Sequence, residues 1–463
     1  MDVEHDLPIV VDRESATPLA VQVADALRSS ATNGHLLGGD RLPSSRALAL
    51  RLGVSRTVTS AAYDQLLAEG WIVGRHGSGT YLTATPHPAP PKPTLAVPRD
   101  DDATLIDLAP GSPCVECIDD AAWRRAWRAA ADGPQQVRPE RAGLPDYRAA
   151  VAEHLLRHRG LVGNAAAGVV LATAGTSSAT GELAGSLWQR GDAVAVEEPG
   201  YNRAVGSLLA AGMTIVPVPV DADGLCLDAL PSGIRAVYCT PAHQFPLGAR
   251  MPAMRRVELV ERARREGFLV IEDDYDGELR YDTAPLPLLA SIGPDVVVHL
   301  GTTSKILTPA LGVGWMSAPD FVAAAVLERR ERIGVGPSPA GQRVLIELAR
   351  SGDLARHLRR VRREAAERRT LVVDTFRSAG IEVVGDDAGA HIVVALPSAE
   401  AEIKVVDAGR RSGLHLDGLE RHHSGPARTF GIAIGYTAAS GADLRRALPL
   451  IVEAVAGVVM IQI

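Results

Sequence analysis

The sequence predicts a multidomain chain: a small winged helix-turn-helix domain over residues 1–82, then a large α/β domain over residues 105–463. Three observations carry this. Residues 83–104 contain Pro86, Pro88, Pro90, Pro91, Pro93 and Pro98 followed by Asp100-Asp101-Asp102, a composition that favours extended backbone and acts as a semi-rigid linker. Before it, two short helical patterns are joined by Gly53-Val54-Ser55. After it, strand-like apolar runs alternate with amphipathic stretches, as in an α/β sheet.

The first helical pattern spans Leu19 to Ser30, with Leu19, Val21, Val23, Ala26 and Leu27 apolar. The second runs from Ser44 to Arg51 and starts at a serine cap after Pro43. Ser55 caps a third from Arg56 to Glu69. Gly70-Trp71-Ile72-Val73 and Thr80-Tyr81-Leu82 then form a β-hairpin wing with Arg75 and His76 at its tip. In such a module the second helix of the pair enters the major groove of double-stranded DNA. Its first turn, from Ser55 through Arg56, Thr57 and Thr59, faces the operator's bases. Arg46, at the end of the preceding helix, reaches phosphate, and Arg75 and His76 suit backbone or minor-groove contact. Residues 1–82 hold seven arginines against nine acids, but residues 41–82 hold five against two, which restores a locally positive face. The competing reading is a three-helix domain used for protein contacts.

Composition narrows the rest. A 463-residue chain with 46% hydrophobic and 22% charged residues is an ordinary globular protein of two or three domains. A net charge of −7 argues against a polyelectrolyte that holds nucleic acid by bulk charge alone. Nothing at Met1 reads as a secretion signal, and the apolar stretch Leu448–Ile463, broken by Glu453, is short for a membrane span. The expectation is a cytoplasmic protein. Four cysteines include one C-x-x-C, Cys114-Val115-Glu116-Cys117. Zinc would need a second ligand pair, and the surrounding prolines and acids do not supply a thioredoxin-like setting.

Four strand ends of the large domain carry chemistry. Val169–Ala174 leads into Gly175-Thr176-Ser177-Ser178 with a helical stretch from Ala179, a phosphate cup of amides and hydroxyls. Ala193–Val196 leads to Tyr201, whose ring can lie on another aromatic ring. Phe268–Ile271 leads into Glu272-Asp273-Asp274, three acids that need a cation; a protonated pyridine nitrogen or magnesium would serve. Val296–Leu300 leads into Gly301-Thr302-Thr303-Ser304-Lys305. The chain has three lysines (Lys92, Lys305, Lys404) against forty-five arginines. A lysine in this turn therefore points to imine chemistry, which a guanidinium cannot perform.

Two resemblances follow from these motifs. Arg41-Leu42-Pro43-Ser44-Ser45-Arg46, Gly53-Val54-Ser55-Arg56-Thr57-Val58, Ala62-Tyr63, Glu69-Gly70-Trp71 and Gly77-Ser78-Gly79-Thr80-Tyr81 resemble the GntR family's DNA-binding domain. Trp123 through Leu155 to Gly160, Gly191-Asp192, Glu197–Tyr201, Thr240–Pro246, Glu272–Tyr281 and Gly301–Gly314 resemble the aminotransferase-like half of MocR regulators. The resemblance implies a fold-type I aminotransferase-like domain that binds pyridoxal 5′-phosphate. By it, Lys305 forms the Schiff base, Asp273 pairs with the pyridine nitrogen, Tyr275 bonds the phenolic oxygen and Tyr201 covers the ring. Thr176, Ser177, Thr302 and Ser304 contact phosphate. Arg428 clamps a carboxylate on an amine, amino acid or vitamer effector, and Arg203 takes a second acidic group.

The chain departs from the family at Leu311-Gly312-Val313-Gly314, where an arginine is usual in place of Gly312, and at Arg138, where a tyrosine is usual. The expectation is that Arg138, donated across a homodimer, replaces the charge absent at Gly312. Ala242 and Leu247 also stand where Ser and Thr are common. The resulting reading is a cofactor-binding transcriptional regulator. Its rivals are an active aminotransferase with an appended DNA-binding domain and a DNA-binding protein with a cofactor-free dimerisation scaffold.

Overall fold

The computed structural model describes residues 9–75, 78–83, 105–134, 137–161, 169–281 and 286–459. The chain divides into two compact units, Met1–Asp100 and Asp101–Ile463. Apart from Thr83, the expected linker lies outside the described residues, as does His76.

In the first unit, helices Leu19–Thr32, Ser45–Leu52 and Arg56–Ala68 pack on a three-stranded antiparallel sheet. Strand Gly79–Leu82 lies between Arg41–Leu42 and Ile72–Arg75. The core is Val23, Ala24, Leu27, Leu36, Leu48, Ala62, Leu66, Ile72 and Leu82. Ser44 accepts the amide of Ala47 at 3.1 Å and Ser55 that of Val58 at 3.4 Å, so both helices of the pair start on the expected serine caps. Gly53 between them has φ 64°, the left-handed conformation that ends a helix abruptly.

The second unit is built on an eight-stranded sheet. Its order is Val169–Thr173, Gly314–Ala318, Val297–Thr302, Leu269–Asp274, Ala236–Cys239, Ala193–Glu198, Thr214–Asp221, Gly224–Leu225. The four strands from Val297–Thr302 to Ala193–Glu198 run parallel, as does Thr214–Asp221 beside them; Gly314–Ala318 is antiparallel to both neighbours. Parallel strands covered on both faces read as continuous apolar runs, which is why Val194–Val196, Val270-Ile271 and Val297-Val298 were visible in sequence. Helices such as Thr176–Leu187 and Ala253–Glu266 cover the faces.

A smaller antiparallel sheet, His391–Leu396, Phe430–Gly435 and Asp417–Gly418, forms a second core with the helices Asp353–Ser378, Ala399–Arg411 and Gly441–Val459. The apolar C-terminal stretch is thus packed as a helix through Val459. Among the described residues no helix is long and apolar enough to cross a membrane. Strand Ile106–Asp107 pairs with Leu414–His415 in this smaller lobe, and the following residues 110–113 reach Lys305, beyond the end of strand Val297–Thr302.

Candidate functional site

Ligands of parallel α/β sheets bind beyond the carboxyl ends of the strands. Here those ends bring Thr176, Ser177, Tyr201, Tyr275, Thr302, Ser304 and Lys305 to one cavity of about 560 Å³, with Arg203 at its rim. That size suits a cofactor plus a small ligand.

Helix Thr176–Leu187 begins three residues earlier than the sequence suggested, because Gly175 (φ 133°) turns the chain directly into it. Thr176, Ser177 and Ser178 are therefore its first turn, and their amides are among those a helix leaves unbonded at its start. The Thr302 and Ser304 hydroxyls lie 2.9 Å apart at the end of the Lys305 strand. The Tyr201 hydroxyl is 3.3 Å from Ser177 Oγ, and its ring meets Phe245 edge-on.

The three consecutive acids separate by strand alternation. Glu272 accepts the amides of Leu289 at 2.6 Å and Ala290 at 3.1 Å. Asp274 faces the buried Arg159 guanidinium at 2.5 and 2.8 Å. Asp273 lies between them on the opposite face: Tyr238 donates to its Oδ2, while its buried Oδ1 has no hydrogen-bond partner. Burial pushes Asp273 up to about 7, against the Tyr238 and Thr176 hydroxyls, which favour the ionised form. Two of the acids are thus answered by backbone amides or a guanidinium, while Asp273 meets only the hydroxyls of Tyr238 and Thr176 and faces no guanidinium. Their divergence removes the shared magnesium site that the sequence left open.

Lys305 Nζ donates to the Gly111 carbonyl at 2.5 Å. Burial lowers its pKa, opposed by Asp273 and Asp276, so a larger neutral fraction is available as a nucleophile. His243 Nδ1 lies 2.7 Å from Asp276 and 3.0 Å from the Tyr275 hydroxyl. Burial, reinforced by Asp276, keeps the Tyr275 phenol far above its usual pKa. Tyr275 is therefore a protonated donor.

Some expected residues are elsewhere. Thr59 is fully buried and donates to the Ser45 carbonyl at 2.7 Å, so it locks the two helices together and cannot face bases. Arg56 and Thr57 are exposed on the first turn of their helix, with Ser55 at its cap. Arg46 is exposed at the N-terminal end of its helix, and the Arg75 guanidinium lies 4.8 Å from the centre of the Tyr81 ring. Arg428 is exposed and outside the cavity lining, which instead includes Arg421 and His422. Arg421 pairs with the buried Asp417, which also holds His422 at 3.1 Å. Arg138 is exposed and does not line its own chain's cavity, and the space beside Gly312 is open to 4 Å.

Tyr238, His243, Gly111 and Arg421 were missed. Tyr238 alone had a signal, a lone aromatic hydroxyl in a buried strand. The others depend on contacts far along the chain.

Residues 103–412 match the family "Aminotransferase class I and II", and residues 19–82 match "Bacterial regulatory proteins, gntR family". The chain is 34% identical to the HTH-type pyridoxine biosynthesis transcriptional regulator PdxR of Corynebacterium glutamicum, covering 97% of this chain and 99% of that protein. It is 32% identical to the probable rhizopine catabolism regulatory protein MocR of Rhizobium meliloti, covering 95% and 94%. Among solved structures, an archaeal alanine:glyoxylate aminotransferase shares the fold with a TM-score of 0.71 at 23% identity, over 76% of this chain and 91% of that one. A kynurenine aminotransferase from Pyrococcus horikoshii gives 0.70 at 22%, over 77% and 91%.

Proposed function

The chain belongs to the MocR-type GntR transcriptional regulators, and from that premise we propose that its second unit binds pyridoxal 5′-phosphate and uses it to sense a small amine, amino acid or vitamer. The observation that carries this reading is the buried Oδ1 of Asp273, which lacks a hydrogen bond and lies within electrostatic reach of Lys305, the lysine that lines a cavity of cofactor size with its neighbours Thr176 and Tyr275. A protonated pyridine nitrogen is the cation that such a carboxylate lacks.

Bound there, the cofactor supplies an aldehyde that condenses reversibly with primary amines. The chain's own residues do the rest. Asp273 holds the ring nitrogen's proton, and Tyr275 donates to the phenolic oxygen. Tyr201 covers the ring, and the first turn Thr176–Ser178 with Thr302 and Ser304 binds phosphate. Lys305, whose pKa burial lowers, supplies the nucleophile. Arg203 and Arg421, at the cavity wall, bind the effector's acidic group, with Arg421 pre-set by Asp417. Across a homodimer, Arg138 of one protomer supplies charge to the open side left by Gly312. The first unit binds operator DNA in the cytoplasm, and the proline-rich linker carries the effector's influence to it.

The test is the visible absorption spectrum of the protein with pyridoxal 5′-phosphate added, beside Lys305→Ala. A protein-bound band present in the wild type and absent in the variant supports the reading. No band in either leaves a cofactor-free scaffold. Arg138→Ala should weaken cofactor affinity; unchanged affinity removes the dimer contribution.

A further inference from the structure

We propose that Cys114 and Cys117 form a redox-modifiable dithiol, closing to a disulfide under a peroxide and thereby loosening the contact that holds Lys305. The two sulfurs lie 3.1 Å apart across a single 3₁₀ turn, Val115–Cys117, which places residues three apart on one side. A disulfide needs them to close by about 1 Å. Cys114 is buried and Cys117 half-buried, so an oxidant approaches the hydrogen-bonded pair from the Cys117 side.

The acids that made this segment look unsuited to redox chemistry are neutralised by a residue far along the chain. Arg368 binds Glu116 at 2.9 Å and Glu364 at 2.8 Å. The Cys117 thiol's hydrogen bond, with Arg368 acting against burial, brings Cys114 down to about 7, while Cys117 is pushed up. The pair thus loses its first proton below the ordinary thiol range, and the charge is shared across the hydrogen bond.

The segment is tied to Lys305 from two sides. Gly111, three residues before Cys114, accepts from Lys305 Nζ, and a Cβ at Gly111 would stand 2.7 Å from that nitrogen. Gly111 has φ 96°, a backbone hinge open to glycine. At the other end the Cys117 carbonyl meets His357 Nδ1 at 3.1 Å and Arg360 Nε at 3.2 Å, and His357 Nε2 lies 2.5 Å from the Ile306 carbonyl, next to Lys305. Cys117 is therefore anchored, and the Ser112 carbonyl is held by the Thr437 hydroxyl at 2.6 Å; closure pulls Cys114 towards Cys117 against that bond and so displaces the Gly111 carbonyl from the lysine.

The chemistry balances with one hydroperoxide. The thiolate attacks one peroxide oxygen to form a sulfenic acid, and the released hydroxide takes the second thiol's proton to leave as water. The second thiolate then displaces the sulfenic hydroxyl, which leaves as a second water with one further proton, so two thiols and one hydrogen peroxide yield one disulfide and two waters. A thiol reductant reverses it.

The test uses the full chain without cofactor, so its outcome is independent of pyridoxal phosphate binding. Reduced and peroxide-treated protein are unfolded, alkylated and mapped by mass spectrometry, and lysine acetylation by acetic anhydride is measured on the folded forms. The expected result is a Cys114–Cys117 disulfide reversed by dithiothreitol, with Lys305 labelling raised several-fold relative to Lys404, and neither change in Cys117→Ala. Both thiols still free after oxidation, or a disulfide that leaves Lys305 labelling unchanged, overturns the proposal.

Discussion

The two units satisfy their polar groups in opposite ways. In the DNA-binding unit the hydroxyls of Ser44 and Ser55 are spent on backbone amides of the helices they cap, that of Thr59 on the Ser45 carbonyl of the neighbouring helix, and the charged residues Arg46 and Arg56 face outward. In the aminotransferase-like unit the strand Leu269–Asp274 answers two of its three buried acids internally and leaves Asp273 Oδ1 unpaired. A surface that reads DNA stores its function in exposed side chains on a satisfied scaffold. The proposed cofactor site would store it in a buried deficit. The difference predicts which substitutions cost stability and which cost only binding.

The largest effect should fall on Asp274. Removing it leaves Arg159, 3% exposed at its side chain, with the more distant Glu278 at 3.7 Å and the charge of Glu272. Asp274→Ala should lower unfolding free energy by roughly 3 kcal/mol, the cost of breaking a buried pair, read by denaturant melting. Asp273→Asn should do the reverse to the apoprotein. A carboxyl whose folded pKa is raised binds its proton more tightly in the folded state, so its contribution is lost as pH rises from about 4 to about 7. Asp273 is raised to about 7 by burial. Relative to the wild type, Asp273→Asn should therefore gain stability across that window, while its affinity for pyridoxal 5′-phosphate falls steeply. A variant with no change in the pH dependence of stability would break the contrast between the two neighbouring acids.

The same contrast explains how much was legible. Both folds were, because the GntR-like spacing is local and the parallel strands announce themselves as apolar runs bounded by glycine and hydroxyl turns. Lys305 stood out by composition, since the chain otherwise spends arginine. Thr59 was misplaced because helical spacing puts it near the bases on paper, while the tight turn at Gly53 brings the Ser45 carbonyl against it. Arg421 and Gly111 could not be found, since their places in the cavity depend on contacts between residues far apart in sequence, such as Gly111 with Lys305. The C-x-x-C was judged by its sequence neighbours, when the residue that sets its charge is Arg368.

Smaller effects sharpen the comparison inside the DNA-binding unit. Arg56→Ala should weaken operator binding by about 1–3 kcal/mol and flatten its salt dependence with no change in melting temperature. Thr59→Val should do the opposite, costing stability by about 1 kcal/mol through the lost buried hydrogen bond while leaving the DNA-facing surface intact. Fluorescence anisotropy and thermal melting on the same preparations separate the two.

Ser55 is the finest case, because its position suits both roles. It is exposed at the start of the Arg56–Ala68 helix, yet its hydroxyl accepts the Val58 amide at 3.4 Å. A long cap bond should be worth the low end of the usual range, so Ser55→Ala should cost about 0.5 kcal/mol of stability and Ser55→Gly only a few tenths. If the cap is all that Ser55 does, operator affinity measured well below the melting temperature should be the same in both variants and the wild type. An equal loss of affinity in both, despite their unequal stabilities, would place the hydroxyl against DNA and show that this unit, too, leaves a polar group for its ligand.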